Sequence, residues 1–133
     1  MKRKILIVED NSDCRELLAR YMQHLGHEPM EAQNGHEAIT LAVNGQPDLI
    51  FVDIGLPDMN GVEVTARLKQ DFETSQIPIV IFTAWPPGVW KEKALNAGAA
   101  DYLLKPASAE VVRRVIERFT RPNSMLSQSG QST

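Results

Sequence analysis

Leu49-Ile50-Phe51-Val52-Asp53 decides the fold: four apolar residues close on a carboxylate. The same form occurs three more times. Ile5-Leu6-Ile7-Val8 runs into Glu9-Asp10, Ile79-Val80-Ile81-Phe82 into Thr83, and Tyr102-Leu103-Leu104 into Lys105. Apolar runs this short, set between helical stretches, read as buried strands of a parallel sheet. In such sheets the ligand site lies beyond the carboxyl ends of the strands. Four separate segments therefore deliver three carboxylates, a hydroxyl and an ammonium to one edge. That set of groups suits a divalent cation and a phosphoryl group.

Helical periodicity fills the gaps. Leu17, Leu18, Tyr21, Met22 and Leu25 form a stripe, with Asn11 or Ser12 as cap and Gly26 as stop. Ala38, Ile39, Leu41 and Ala42 mark a second helix ending near Asn44-Gly45. Val62, Val64, Ala66 and Leu68 mark a third after Gly61, and a fourth runs from Val89 to Ala97. The last follows Pro106 and carries Val111, Val112, Val115, Ile116 and Phe119. Five β-α alternations imply right-handed crossovers and a doubly wound α/β fold with five parallel strands and five helices. Glu28-Pro29-Met30-Glu31-Ala32 alternates and contains a proline, so it belongs at an edge. The short Tyr102 strand takes the other edge. The order is then 2-1-3-4-5, with the switch point where Glu9-Asp10 meets Asp53.

The 133 residues suffice for one domain, placed at 1–121, and the polar, aperiodic stretch 122–133 reads as a flexible tail. An output domain beyond Thr133 is left open. With a net charge of −3 and no basic cluster longer than Lys2-Arg3-Lys4, direct nucleic-acid binding is not expected. A single cysteine, Cys14, excludes an internal disulfide and fits a reducing compartment. No apolar stretch nears the roughly 20 residues of a membrane span. Acids interrupt the apolar start after four residues, so it is a strand and not a signal peptide. A cytoplasmic protein without membrane insertion is expected.

Two carboxylates about 4 Å apart repel by roughly 4 kcal/mol at an effective dielectric of 20. A crowded set is therefore protonated or neutralised by a cation. Oxygen ligands without clustered His or Cys favour a hard cation, and Mg²⁺ uses few carboxylates and keeps its waters. Asp10 and Asp53 are the expected direct ligands, Glu9 acts through a water, and the main-chain carbonyl of Gly55 completes the protein's share. A carboxylate so placed can attack phosphorus. Lys105 then meets a phosphoryl oxygen as a point charge, and Thr83 donates a hydroxyl hydrogen bond.

These residues resemble the receiver domain of two-component response regulators, of the stand-alone chemotaxis-regulator type. The matching segments are Ile5 to Asn11, Val52 to Gly61, Phe82-Thr83-Ala84 and Ala97 to Pro106, in order across about Lys4 to Phe119. The resemblance implies a flavodoxin-like sheet, Asp53 as phosphoacceptor, Glu9 and Asp10 as the acidic pair, and Thr83 and Lys105 as switch hydroxyl and phosphate-binding lysine. It implies a cis Lys105-Pro106 bond, and Tyr102 as the aromatic that turns inward with Thr83. The donor would be a histidine kinase or histidine phosphotransfer protein, and the output a downstream protein bound on the fourth helix, fifth strand and fifth helix. Such a chain is no enzyme beyond assisting its own phosphorylation and dephosphorylation.

Gly55 is smaller and Trp85 larger than the family commonly carries, and both positions flank the phosphoryl group, which makes them candidates for setting phosphate lifetime. Pro86-Pro87 stiffens the following loop. A constitutive, unphosphorylated interaction module is the alternative reading, and a flavin-binding domain is disfavoured by acids in place of a phosphate cradle. His24, His27 and His36 read as solvent-exposed rather than metal-binding. Asp58-Met59-Asn60-Gly61 lacks the alternation and terminal Glu of a calcium loop.

Overall fold

The structure is a computed structural model describing residues 2–120; the stretch assigned above to a tail lies outside the described residues. Five strands, β1 (Lys4–Val8), β2 (Glu28–Ala32), β3 (Leu49–Val52), β4 (Ile79–Thr83) and β5 (Asp101–Leu104), alternate with five helices. These are α1 (Ser12–His24), α2 (Gly35–Gly45), α3 (Gly61–Gln70), α4 (Gly88–Asn96) and α5 (Ala109–Phe119). All strand pairs are parallel, in the order β2-β1-β3-β4-β5.

Alternation along each strand explains why the central runs are apolar throughout. Ile5, Ile7, Leu49, Phe51 and Val80 face Met22 of α1 and Val112, Val115 and Ile116 of α5. Leu6, Val8, Ile50, Val52, Ile79 and Ile81 face the opposite way, onto Ala38, Val64, Leu68 and Ala94. Helices thus cover both faces, and only the strand ends remain to form a site.

Two details depart from the sequence reading. Leu17 lies off the α1 stripe and is 71% exposed, because Leu18, Met22 and Leu25 occupy the face toward the sheet. The second helix ends at Gly45 as read, and the left-handed turn after it falls on Gln46 (φ 47°). His27 is half-buried rather than exposed, with Nδ1 accepting the Arg3 N–H at 3.1 Å. Burial, reinforced by nearby positive charge, lowers its pKa.

Asp58 has a structural role in place of the calcium loop considered and set aside above. Its carboxylate accepts the N–H groups of Gly35 (2.8 Å) and His36 (2.9 Å), capping α2 from the loop that follows β3. The His36 ring adds a 2.6 Å contact. Its small burial works against ionisation, but these donors outweigh it and hold the carboxyl well below the usual carboxylate range. A depressed folded pKa contributes stability that is present above the unfolded value and lost as pH falls through the folded one. Asp58→Ala should therefore cost about 1–2 kcal/mol at neutral pH. In urea unfolding, the gap to wild type should narrow as pH drops below about 4.

Candidate functional site

The carboxyl ends of β1, β3, β4 and β5 close one pocket. Register places the side chains: the Asp53 N–H donates to Val8 O at 3.0 Å, and the Lys105 N–H donates to Thr83 O at 2.7 Å. Each residue just past a strand is thereby tied to its neighbour's end. Glu9 follows β1 and is buried, its Oε2 accepting the Asn11 N–H at 3.0 Å. Asn11 caps α1 by accepting the Cys14 N–H, so one short turn both starts the helix and holds the acid. Lys105 Nζ bridges Glu9 Oε1 and, at 3.4 Å, Asp53 Oδ2. Its ammonium also lies 5.5 Å from the centre of the Phe82 ring. The Lys105-Pro106 bond is cis, as the resemblance implied.

Carboxylate oxygens of Glu9, Asp10 and Asp53 all lie within 4.8 Å of one another. Three carboxylates against one ammonium leave a formal charge of −2, which a divalent cation would cancel. Titration behaviour agrees. Burial raises the Glu9 pKa, assisted by the charge of Asp53, despite hydrogen bonds from Lys105 and Asn11 that pull it down. Burial alone would lower Lys105, but its contacts with Glu9 and Asp53 raise it overall. Both shifts favour the protonated form, as expected where negative charge is in excess, and the donor set, all oxygen, fits a hard cation.

Thr83 is fully buried, and its Oγ1 accepts the Trp85 N–H at 3.3 Å, which leaves the hydroxyl proton free to donate. Tyr102 faces inward at 8% exposure, its hydroxyl donating to Trp85 O at 2.8 Å. Its pKa is raised by burial and by the Asp53 charge. Gly55 sits on the loop after β3, its N–H 3.4 Å from Asp53 Oδ1.

Gly55 and Trp85 form one arrangement. A Cβ on Gly55 would press on the Trp85 indole at 3.3 Å, so any side chain there would have to move the ring. Trp85 packs edge-on to Trp90 of α4 with centroids 5.0 Å apart. The sequence reading had treated the two residues as separate departures.

One glycine beside the site escaped the sequence reading. Gly61 opens α3 where a Cβ would lie 2.3 Å from Asp53 O, so only glycine lets the loop close back on the phosphoacceptor candidate. Its signal is the repeated Asn-Gly-x-Glu form, Asn34 to Glu37 and Asn60 to Glu63, in which each Asn accepts the Glu N–H. Beside the site, between α1 and the start of α5, lies a cavity of about 570 Å³. Leu17, Leu18, Tyr21 and Ala107 line it, and it reaches Glu9, Asp53 and Lys105.

Comparison with known proteins accords with this geometry. The response regulator receiver domain matches residues 5–117. The chain belongs to that family. It is similar to the polar-differentiation response regulator DivK of Brucella anthropi, 38% identical over 88% of this chain and 93% of that protein. It is likewise similar to Protein PilH of Pseudomonas aeruginosa, 35% identical over 85% and 93%. Against the phosphate regulon transcriptional regulatory protein PhoB of that organism it is 40% identical over 85% of its own length, but spans only 50% of the relative. Among solved structures, this receiver superposes on the chemotaxis protein CheY4 of Vibrio cholerae with a TM-score of 0.84 at 26% identity, covering 90% of this chain and 99% of that one. The receiver domain of the P. aeruginosa sensor histidine kinase PA1611, which has a magnesium ion coordinated in its active-site cleft, matches at TM-score 0.84 and 27% identity over 92% and 100%. This is a receiver domain of two-component signalling, with the sheet order read from its strands.

The packing of the Gly55–Trp85 pair is open to a direct test. In a Trp90→Phe background, where Trp85 alone reports, Gly55→Val should push the indole outward and shift tryptophan emission to the red.

Proposed function

We propose that the chain is a phosphoacceptor switch in which Asp53 takes a phosphoryl group from a partner phosphohistidine. The observation that carries this is Asp53 beside two further acids, with Lys105 on its Oδ2 and Thr83 buried at the next strand end. Asp10, Asp53 and the Gly55 carbonyl would hold Mg²⁺, with Glu9 acting through a water. The bound ion supplies charge neutralisation at the phosphoryl oxygens. An Asp53 oxygen attacks phosphorus, the bond from phosphorus to the imidazole nitrogen breaks, and the electron pair stays with the imidazole. Lys105 exchanges its carboxylate contact for a phosphoryl oxygen, and Thr83 donates its free hydroxyl proton to another. Catalysis is positioning and charge stabilisation, so the protein assists only its own phosphorylation and its reversal.

Those new contacts of Thr83 and Lys105 are what distinguish two conformations, because a ligand shifts an equilibrium only through differential contacts. Thr83 connects through Trp85 to Tyr102 and α4, the route by which the outer face would change. That face carries exposed Leu95 of α4, Leu104 of β5 and Val111 of α5, an apolar surface for a downstream protein. Trp85, lying over Gly55, would screen the acyl phosphate from water and lengthen its life. None of the described helices is long and apolar enough to cross a membrane. The competing reading, a constitutive interaction module, gives no reason to keep the acidic set and Lys105 together.

Intact-protein mass spectrometry after incubation with Mg²⁺ and a small acyl phosphate should show one phosphoryl adduct in wild type and none in Asp53→Asn. An adduct persisting in Asp53→Asn would remove Asp53 from the role; no adduct and no Mg²⁺ binding in wild type would favour the constitutive module. Trp85→Ala should still be labelled but lose the adduct several-fold faster when the donor is withdrawn.

A further inference from the structure

We infer that Arg15 is a positioning residue that sets the main chain of the acidic pair and so aims Asp10 at the cation. The inference rests on the proposed role of Asp10 as a metal ligand. Glu9 is fixed at both carboxylate oxygens, by the Asn11 N–H and by Lys105. Asp10 is exposed, and among the described residues no hydrogen bond or ion pair holds its carboxylate. Its direction is therefore inherited from the peptide that joins it to Glu9.

That peptide is held from one side by a side chain. Arg15 Nη1 donates to the Glu9 carbonyl oxygen at 2.9 Å, while its Nε donates to Glu31 Oε1 at 3.2 Å. The guanidinium is itself well covered, at 15% side-chain exposure. On the other side of Glu9, its N–H donates to Ala32 O at 3.0 Å. Glu31 and Ala32 both belong to β2, so the edge strand fixes Glu9 directly through its backbone and indirectly through Arg15. A planar fork can satisfy two acceptors in fixed directions, which an ammonium on a flexible stem does not reproduce.

The ordinary alternative is an ion pair that docks α1 on β2, worth little at a half-exposed carboxylate. The two roles differ in sign at the metal. Charge alone predicts that removing a cation near three acids tightens Mg²⁺ binding, and a purely structural role predicts no change in folded protein. Positioning predicts weaker binding, since loss of a group that orients a ligand commonly costs ten- to a hundredfold in metal affinity.

An equilibrium Mg²⁺ titration followed by tryptophan emission, on the full chain, separates these. Arg15→Met should raise the Mg²⁺ dissociation constant about tenfold, and labelling by a small acyl phosphate should return to the wild-type rate at saturating Mg²⁺. Unchanged or tighter binding, or labelling that stays slow at saturation, would overturn the inference. Should Arg15→Met fail to fold, Arg15→Lys keeps the charge and loses the fork. Weaker binding in that variant supports positioning, and wild-type affinity refutes it. Absence of Mg²⁺ binding in wild type would instead refute the metal reading on which the inference stands.

Discussion

Three carboxylates share one strand edge with a single ammonium, and much of the local architecture serves to tolerate that crowding. Glu9 is buried, so its charge lacks the solvation that an exposed acid would have. Lys105 answers it from β5, two strands beyond Asp53 in the sheet. The ammonium reaches both acids because β3, β4 and β5 are in register and Lys105 is tied by its backbone to the end of β4. A shift of one residue in any of these strands would turn the functional side chain to the wrong side. The apolar strands thus do more than form a core: their burial on both faces fixes the register that brings the charges together.

Fold and site were legible in the sequence to the extent that they depend on local pattern. The central strands declared themselves because helices cover both faces, which forces unbroken apolar runs. Pro29 and the alternation around it marked the β2 edge. Glu9, Asp10, Asp53, Thr83 and Lys105 stood out because each ends a strand, where position along the chain gives position in the site. Arg15 and Asp58 did not, since Arg15 joins a main-chain carbonyl 6 residues away to a carboxylate 16 residues away, and Asp58 acts on an N–H 23 residues away. Leu17 was misplaced for a related reason. A stripe at helical spacing wider than the face actually covered leaves one member outside.

Gly55 and Trp85 show how a constraint can be shared by two residues that are each unusual alone. The indole lies against the place where a Gly55 side chain would begin, so a larger residue there would have to displace it. Through its backbone the same tryptophan meets Thr83 and Tyr102, and through its ring it meets Trp90. One residue therefore borders Gly55, the Thr83 hydroxyl and the start of α4.

The attachment of α4 has a consequence for how the domain breathes. Of its nine residues only Ala94 is buried, and its N-cap, Pro87, offers no side-chain hydrogen bond to the first turn. Val89 and Leu95 face outward. A helix with so little covered area opens at a lower free energy than the sheet beneath it, as an independent cooperative unit. Its amide protons should therefore exchange with solvent by local opening, while those of β1 and β3 wait for the whole domain to unfold. The edge-on contact between Trp85 and Trp90 is then a fastening between a slow-exchanging body and a fast-exchanging one.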